Sequence, residues 1–324
     1  MITKEDFKKV LNTALNLKAI VIGDAMLDQY IYGTVDRISP EAPVPVLNHS
    51  STIIKAGGAA NVALNLAAWG CKTVLIGLTG KDINADRLKS ILDEQRISHY
   101  LFADESRPTT IKTRVVASTH HLMRIDEESS SELESDKEEE AIAFILDALI
   151  SEKPELIILE DYNKGFLTEK IISSILSYAN SKRIFIAVDP KERNFENYSG
   201  ANLFKPNLRE ANLAAHRQLN MDDLAEWAAE WKLKMKIDSF AVTLGSNGIF
   251  LMNEEGHKWM KPERIIDVVD VCGAGDAVIC SLALAQLSKL NLEKSGALAN
   301  LTGTYVCSHS GVVTIDPVEI ASWL

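Results

Sequence analysis

The chain has 324 residues, 46% of them apolar and 24% charged, with a formal charge of −11. That composition fits a globular protein with an ample core and excludes a disordered or collagen-like chain. Nine acids against a single lysine, Lys137, lie between Asp126 and Glu140, so the remainder is close to neutral and no basic face is left for a nucleic-acid backbone.

The opening MITKEDFKKVLNTALNLKAI is charged through residue 9 and lacks the apolar centre of a signal peptide. Apolar stretches such as 141–150 and 278–287 are too short for a bilayer, and Cys71, Cys272, Cys280 and Cys307 show no CxxC spacing. A cytoplasmic protein with free thiols and no membrane partner is expected. Residues 19–22 read as a buried parallel strand running into Gly23-Asp24. Gly57-Gly58-Ala59-Ala60 opens a helix that runs to Trp69 and closes at Gly70. Then come a strand at 73–78 and a helix at 84–96 capped by Asn84 or Asp82. Further strands are expected at 155–159, 184–188 and 240–244, with helices at 137–152, 168–181, 207–231, 275–289 and 293–308. This alternation predicts a doubly wound, mostly parallel α/β sheet flanked by helices, in a single domain over residues 1–324.

Two segments break the alternation. Residues 29–54 hold Pro40, Pro43 and Pro45, short β pieces at 44–47 and 52–54, and no helix. Residues 109–117 and 122–126 read as a hairpin with Ser118-Thr119-His120-His121 at its tip. Together they predict a small β-sheet lid, from segments about 29–56 and 107–127, over the crevice at the strand ends. The acidic run after Asp126 reads as a solvated loop and helix start.

The sharpest motif is Asp270-Val271-Cys272-Gly273-Ala274-Gly275-Asp276, followed by the apolar run AVICSLALAQL. Glycines before a helix let a ligand approach the backbone, and first-turn N–H groups then form an anion hole for a phosphoryl group. Asp276 falls in that turn, where a carboxylate can take the proton of an attacking hydroxyl. The same residues also fit an N-capping Asp after a glycine turn. Gly77-Leu78-Thr79-Gly80-Lys81-Asp82 fails as a P-loop because Asp82 stands where Ser or Thr is needed. The pair Gly273 and Gly275 has Val278 where a dinucleotide fingerprint needs a third glycine, which disfavours a nicotinamide dehydrogenase. No zinc spacing joins the histidines, and His120-His121 reads as a polar tip. Cys272 reads as a small buried residue, although its place beside a helix could also lower its pKa.

A second constellation is N-terminal: Gly23-Asp24-Ala25-Met26-Leu27-Asp28, then Lys55-Ala56-Gly57-Gly58-Ala59-Ala60-Asn61. A carboxylate near the end of the first strand and an Asn one turn into a helix can grip adjacent hydroxyls, as a sugar site requires. Each half alone also fits a turn and tight helix packing.

GGAANVALNLA with DVCGAGDAV resembles the ribokinase-type (PfkB) carbohydrate kinase family, from about residue 7 to the C-terminus. Within that family, GDAMLDQYIYG, RISPEAPVPVL, GLTGKD, PTTIKTRV, LMRIDEE, EDYNKG, DPK and KPNLREAN are similar to the branch acting on D-glycero-β-D-manno-heptose 7-phosphate. The resemblance implies an ATP- and Mg²⁺-dependent kinase of the anomeric hydroxyl, yielding the 1,7-bisphosphate for ADP-heptose and lipopolysaccharide precursor synthesis. It leaves open a monovalent cation and another sugar or sugar phosphate as substrate; a catalytically silent sugar- or nucleotide-binding regulator is the rival from another class. It implies Asp276 as catalytic base and Gly273, Ala274 and Gly275 as the anion hole. It implies Asp28, Gly57, Gly58, Asn61, Arg124, Asp161 and Lys164 on the substrate side, with Lys164 available to the sugar's phosphate; Lys191, Arg114 and Arg124 are further cations. Asn207 and Glu210 would organise Mg²⁺ through water, while Thr243, Gly245, Gly248 and Asn300 would border the nucleotide. The lid often mediates dimers in the family, so a homodimer is expected. Cys272 and Ala277 depart from the family's hydroxyl residues near the phosphates. No nucleotidyltransferase motif follows before Leu324, so adenylyl transfer is expected of a separate protein.

Overall fold

The structure is a computed structural model that describes residues 2–118, 120–264 and 266–324; Thr119 of the expected hairpin tip lies outside the described residues. In chain order the elements are α1 (Lys4–Leu15), β1 (Lys18–Gly23), β2 (Ala25–Ile38), β3 (Pro45–Gly58), α2 (Ala59–Ala68), β4 (Lys72–Thr79), α3 (Ile83–Glu94) and β5 (Ser98–Ala103). They continue with β6 (Ile111–Ala117), β7 (His120–Glu127), α4 (Ser135–Glu152), β8 (Leu156–Glu160), α5 (Glu169–Lys182), β9 (Phe185–Asp189), β10 (Leu203–Phe204), α6 (Leu208–Ala214) and α7 (Met221–Lys234). The last third holds β11 (Ser239–Thr243), β12 (Ile249–Asn253), β13 (Gly256–Met260), α8 (Ala274–Leu287), α9 (Leu292–Cys307) and α10 (Pro317–Ser322).

The main sheet has nine strands in the order β13-β12-β11-β10-β9-β8-β1-β4-β5, parallel from β11 to β5 and antiparallel at the β12 and β13 edge. β1 is apolar from Ala19 onward because both of its faces are covered. Ala19 and Val21 point into a core shared with α1, α2, α8 and α9, and Ile20 and Ile22 into one shared with α4, α5 and α7. The chain winds from β1 outward to β4 and β5, then returns across β1 to β8 and runs the other way. The carboxyl ends of β1 and β8 therefore flank a topological switch point, where an open α/β sheet leaves a crevice.

A second, four-stranded sheet has the order β3-β2-β6-β7 and is the expected lid. Its strands are longer than the short pieces read from the sequence: β2 and β3 pair from Ala25 with Gly58 to Ile38 with Pro45, with two register shifts on the way. Prolines at the β2–β3 turn end the strands without interrupting them. The helix expected over 207–231 is two helices. α6 stops at Ala215, His216 takes the left-handed conformation (φ +53°), and Asn220 starts α7 with a reciprocal capping box to Asp223. Among the described residues no helix is long and apolar enough to cross a membrane.

Candidate active site

α8 fixes the centre of the crevice. Ten of its fourteen residues are buried, which explains why its apolar run lacks a polar face and why its first turn is held firmly at the switch point. Gly273 is the N-cap with φ +79°; a side chain there would be strained and would press on the Asn61 amide nitrogen at 2.8 Å. The first-turn amides of Gly275 and Asp276 have no partner within the helix and border the opening that Gly273 and Gly275 leave, while the Ala274 amide donates to the Val271 carbonyl at 3.3 Å.

Asp276 lies in that turn, 4% exposed. Asn61, one turn into α2, donates to its Oδ2 at 2.6 Å, and the Tyr162 hydroxyl donates to its Oδ1 at 3.1 Å. Burial, with the nearby Asp189 charge, pushes its carboxyl up to about 6 despite these donors. Around it lies a buried set of charges from the strand ends. Lys205 pairs with Asp189 at 2.6 Å, and Lys191 pairs with Glu210 and lies 5.0 Å from the Tyr162 ring centre. Glu160, the last residue of β8, is 1% exposed with no hydrogen bond to either carboxylate oxygen. Burial and the charges of Asp189 and Asp276 raise it well above the usual carboxylate range.

The lid supplies the opposite wall. Asp28 forms a buried ion pair with Arg114, whose guanidinium lies over the Tyr30 ring. A Cβ at Gly57 would collide with the Asp28 carboxylate, and one at Gly58 (φ +55°) with the Asp24 carbonyl, so both glycines are required for the close approach of β3 to β2. Asp24 accepts from the amides of Tyr162 and Lys164 at 2.7 and 3.0 Å; burial and the Asp161 charge push it up to about 6.

The expected substrate-side residues separate into two groups. Asp28, Gly57, Gly58, Asn61 and Asp276 meet at one wall-to-floor junction. Asp161 instead turns into the core, accepting from Tyr198 at 2.7 Å and Asn194 at 3.1 Å. Arg124 is largely exposed and holds Asp126 at 2.8 Å. Lys164 donates to Glu128 at 2.7 Å, and Lys112 approaches the same carboxylate at 3.4 Å. Asp126 lies on exposed β7, as the expected hairpin has it; of the acidic run beyond it, Glu128 is half-buried between Lys164 and Lys112, while residues 129–134 form the expected loop before α4. Burial pushes the Cys272 thiol up to about 11, so the helix end does not activate it.

On the nucleotide side, Asn207 and Glu210 form a reciprocal capping box on α6, with Asn207 accepting from the Glu210 amide at 2.9 Å and Glu210 from the Asn207 amide at 2.8 Å. Thr243 bridges to Asn207 and leads into the turn at Gly245–Asn247. Gly248 (φ +87°) packs against the Met260 carbonyl, which also accepts from the Asn300 amide at 3.0 Å. Tyr162, Lys205, Asp189, Glu160 and Lys112 were missed as site residues in the sequence. Their signals were slight: Glu160 and Tyr162 flank Asp161 in EDYNKG, and Asp189 opens DPK.

The sequence matches the description "pfkB family carbohydrate kinase" over residues 16–319. It is 39% identical over 304 residues to the "Bifunctional protein HldE" of Methylobacillus flagellatus, covering 93% of this chain and 62% of that protein. It is 37% identical over 319 residues to the protein of the same name in Hyphomonas neptunium, covering 97% and 65%. The chain thus spans a little under two thirds of the length of these relatives. In fold it is similar to phosphofructokinase-2 from Escherichia coli in complex with potassium, with TM-score 0.78 at 18% identity over 95% of this chain and 99% of that one. It is likewise similar to Arabidopsis thaliana ribokinase complexed with ribose and ATP, with TM-score 0.71 at 15% identity over 94% and 98%.

Proposed function

The chain belongs to the pfkB family of carbohydrate kinases, and from that premise we propose that it transfers the terminal phosphoryl group of ATP to the anomeric hydroxyl of D-glycero-β-D-manno-heptose 7-phosphate. The relatives at 32–39% identity and the RISPEAPVPV and DYNKG motifs support this acceptor over other sugars. The observation that carries the reaction type is Asp276: a buried carboxylate pushed up to about 6, held through both oxygens, in the first turn of a helix that opens on glycines.

In this reading the sugar lies between Asp28, Asn61 and Asp276. Asp276 accepts the proton of the attacking hydroxyl, for which a carboxyl titrating near 6 is better suited than one near 4. The amides of Gly275 and Asp276 receive the charge that develops on the transferred phosphoryl oxygens. Asn61 and Tyr162 orient the base, and closure of the lid excludes water. Asn207, Glu210, Thr243, Gly245, Gly248 and Asn300 border the ATP.

Mg²⁺ would neutralise the phosphates. The donors fit it only through water. Both Glu210 oxygens and the Asn207 side-chain oxygen already accept hydrogen bonds, and no group of three or more His, Cys, Asp or Glu among the described residues could hold an ion directly. Met123 and Ile125, exposed by 57% and 47% on the face of β7 opposite Arg124, support a homodimer formed through the lid. Turnover of ATP against a panel of sugars and sugar phosphates, with ³¹P NMR of the product, tests the proposal. A new phosphate on C1 of heptose 7-phosphate is expected, and preference for an unphosphorylated sugar would refute it. The same assay in K⁺ and Na⁺ buffers decides the monovalent cation.

A further inference from the structure

If the acceptor is a sugar phosphate, as proposed above, its remote phosphate needs cations, yet most cations of the crevice already have carboxylate partners, and Lys55, in register with Asp28, donates to the Val312 carbonyl at 2.7 Å. Arg114 is paired with Asp28, Lys205 with Asp189, Lys191 with Glu210 and Arg124 with Asp126. The Glu128 cluster differs in stoichiometry. Lys112 and Lys164 both converge on this one carboxylate, at 3.4 and 2.7 Å, and neither has a second ion-pair partner among the described residues. We propose that Glu128 is a resident counterion, which holds the phosphate subsite between Lys112 and Lys164 and is displaced by the phosphate of the incoming sugar.

Charge and position support the exchange. Asp126, in register with Lys112, is offset by Arg124, so two ammonium groups against one carboxylate leave a surplus of one positive charge, and a phosphate dianion in place of Glu128 removes it. Lys112 is in register with Asp28 across the β2–β6 ladder, so the subsite adjoins the residue proposed to hold the sugar. The three side chains are 14–22% exposed, against 2–11% for the Asp28–Arg114 and Asp189–Lys205 pairs, so a ligand can reach them without breaking a buried pair. Glu128 stands one residue beyond β7, outside the ladder, and can swing away without loss of a strand hydrogen bond. Burial opposes its ionisation, but the Lys164 hydrogen bond and the Lys112 charge outweigh burial and keep it below the usual carboxylate range, a permanent anion at neutral pH. An unphosphorylated sugar brings nothing to replace it, so the swap is also a device for rejecting such sugars.

Two measurements on Glu128→Gln, Lys112→Met and Lys164→Met test this. The first is calorimetric titration with inorganic phosphate while a non-hydrolysable ATP analogue fills the α8 end. The second is the ratio of kcat/KM for a sugar phosphate to that for the same sugar without its phosphate. Glu128→Gln is expected to tighten phosphate binding and raise the ratio by roughly five- to tenfold, and each lysine variant to move both the other way by roughly tenfold. Weaker phosphate binding by Glu128→Gln, or parallel changes for both sugars, would overturn the idea and make Glu128 a brace of the lid. If the wild-type protein turns over no sugar phosphate, the proposed function fails, while the phosphate titration still decides the subsite.

Discussion

Carboxylates on the two walls of the crevice are perturbed in opposite directions. On the floor, burial pushes Asp24 and Asp276 up to about 6 and Glu160 well above the usual range. On the lid side, Asp126 and Glu128 are also penalised by burial, but Arg124 and Lys112, with Lys164 from the loop after β8, more than offset it and hold both below their ordinary values. The floor has acids in excess of cations at full burial, and the lid has cations in excess at partial burial. The first arrangement suits a group that must take and return a proton near neutral pH, and the second suits recognition of charge. Substitutions on each wall should therefore separate chemistry from binding.

The largest effect is expected on the floor. Asp276→Asn keeps the volume and the Asn61 contact but removes the proton acceptor, so kcat should fall by roughly 10²- to 10⁴-fold while the sugar still binds. A carboxyl raised in the fold stabilises below its unfolded pKa and loses that contribution as pH rises through the folded value. Asp276→Asn should therefore be more stable than wild type at pH 8, by about 1–3 kcal/mol, with the gain gone near pH 4. Urea melts at the two pH values check this, and near-normal turnover would remove Asp276 as the base. On the lid, Gly57→Ala drives a methyl group into the Asp28 carboxylate, which Arg114 prevents from yielding. KM for the sugar should rise by about 10- to 100-fold with a smaller change in kcat. A change confined to kcat would erase the division between the walls.

The division was only partly legible in the sequence. Gly273 to Asp276 and Gly57 to Asn61 were visible because a helix start on glycines is a local event, complete within a few residues. The lid was visible as irregularity, but its strands were read short, since the apolar alternation of β2 and β3 fades at Asn48 to Ser51, where the strands are exposed on both faces. The helix break at His216 was hidden because a left-handed residue without glycine leaves no compositional mark. Glu160, Tyr162, Asp189 and Lys205 could not be ranked beforehand. Each ends a strand or follows one closely, and what it meets depends on the order of strands in the sheet, which no local pattern encodes. Asp161 is the reverse case: its neighbours Glu160 and Tyr162 face Asp276, and it points to Tyr198 as the chain turns at the end of β8.

A pH profile sharpens the comparison at intermediate size. With the base near 6, kcat/KM should be level above pH 7 and fall by about tenfold per unit well below 6. The lid acids, ionised throughout that range, should contribute no limb of their own. A limb near 4 in place of 6 would mean that Asp276 is solvated during turnover.

The smallest expected effect is also the most diagnostic. Tyr162→Phe removes the hydroxyl that donates to Asp276 Oδ1 but leaves the ring, which packs beneath Lys191. That hydrogen bond favours the ionised carboxylate, so its loss should move the acid limb of kcat/KM to higher pH. The level part of the profile should fall only a few-fold, because Asn61 still fixes the other oxygen at 2.6 Å. A variant that lost stability through packing alone would lower the whole profile without moving its limb. The direction of the limb, more than the size of the loss, therefore decides whether Tyr162 positions the base or merely fills space beneath it.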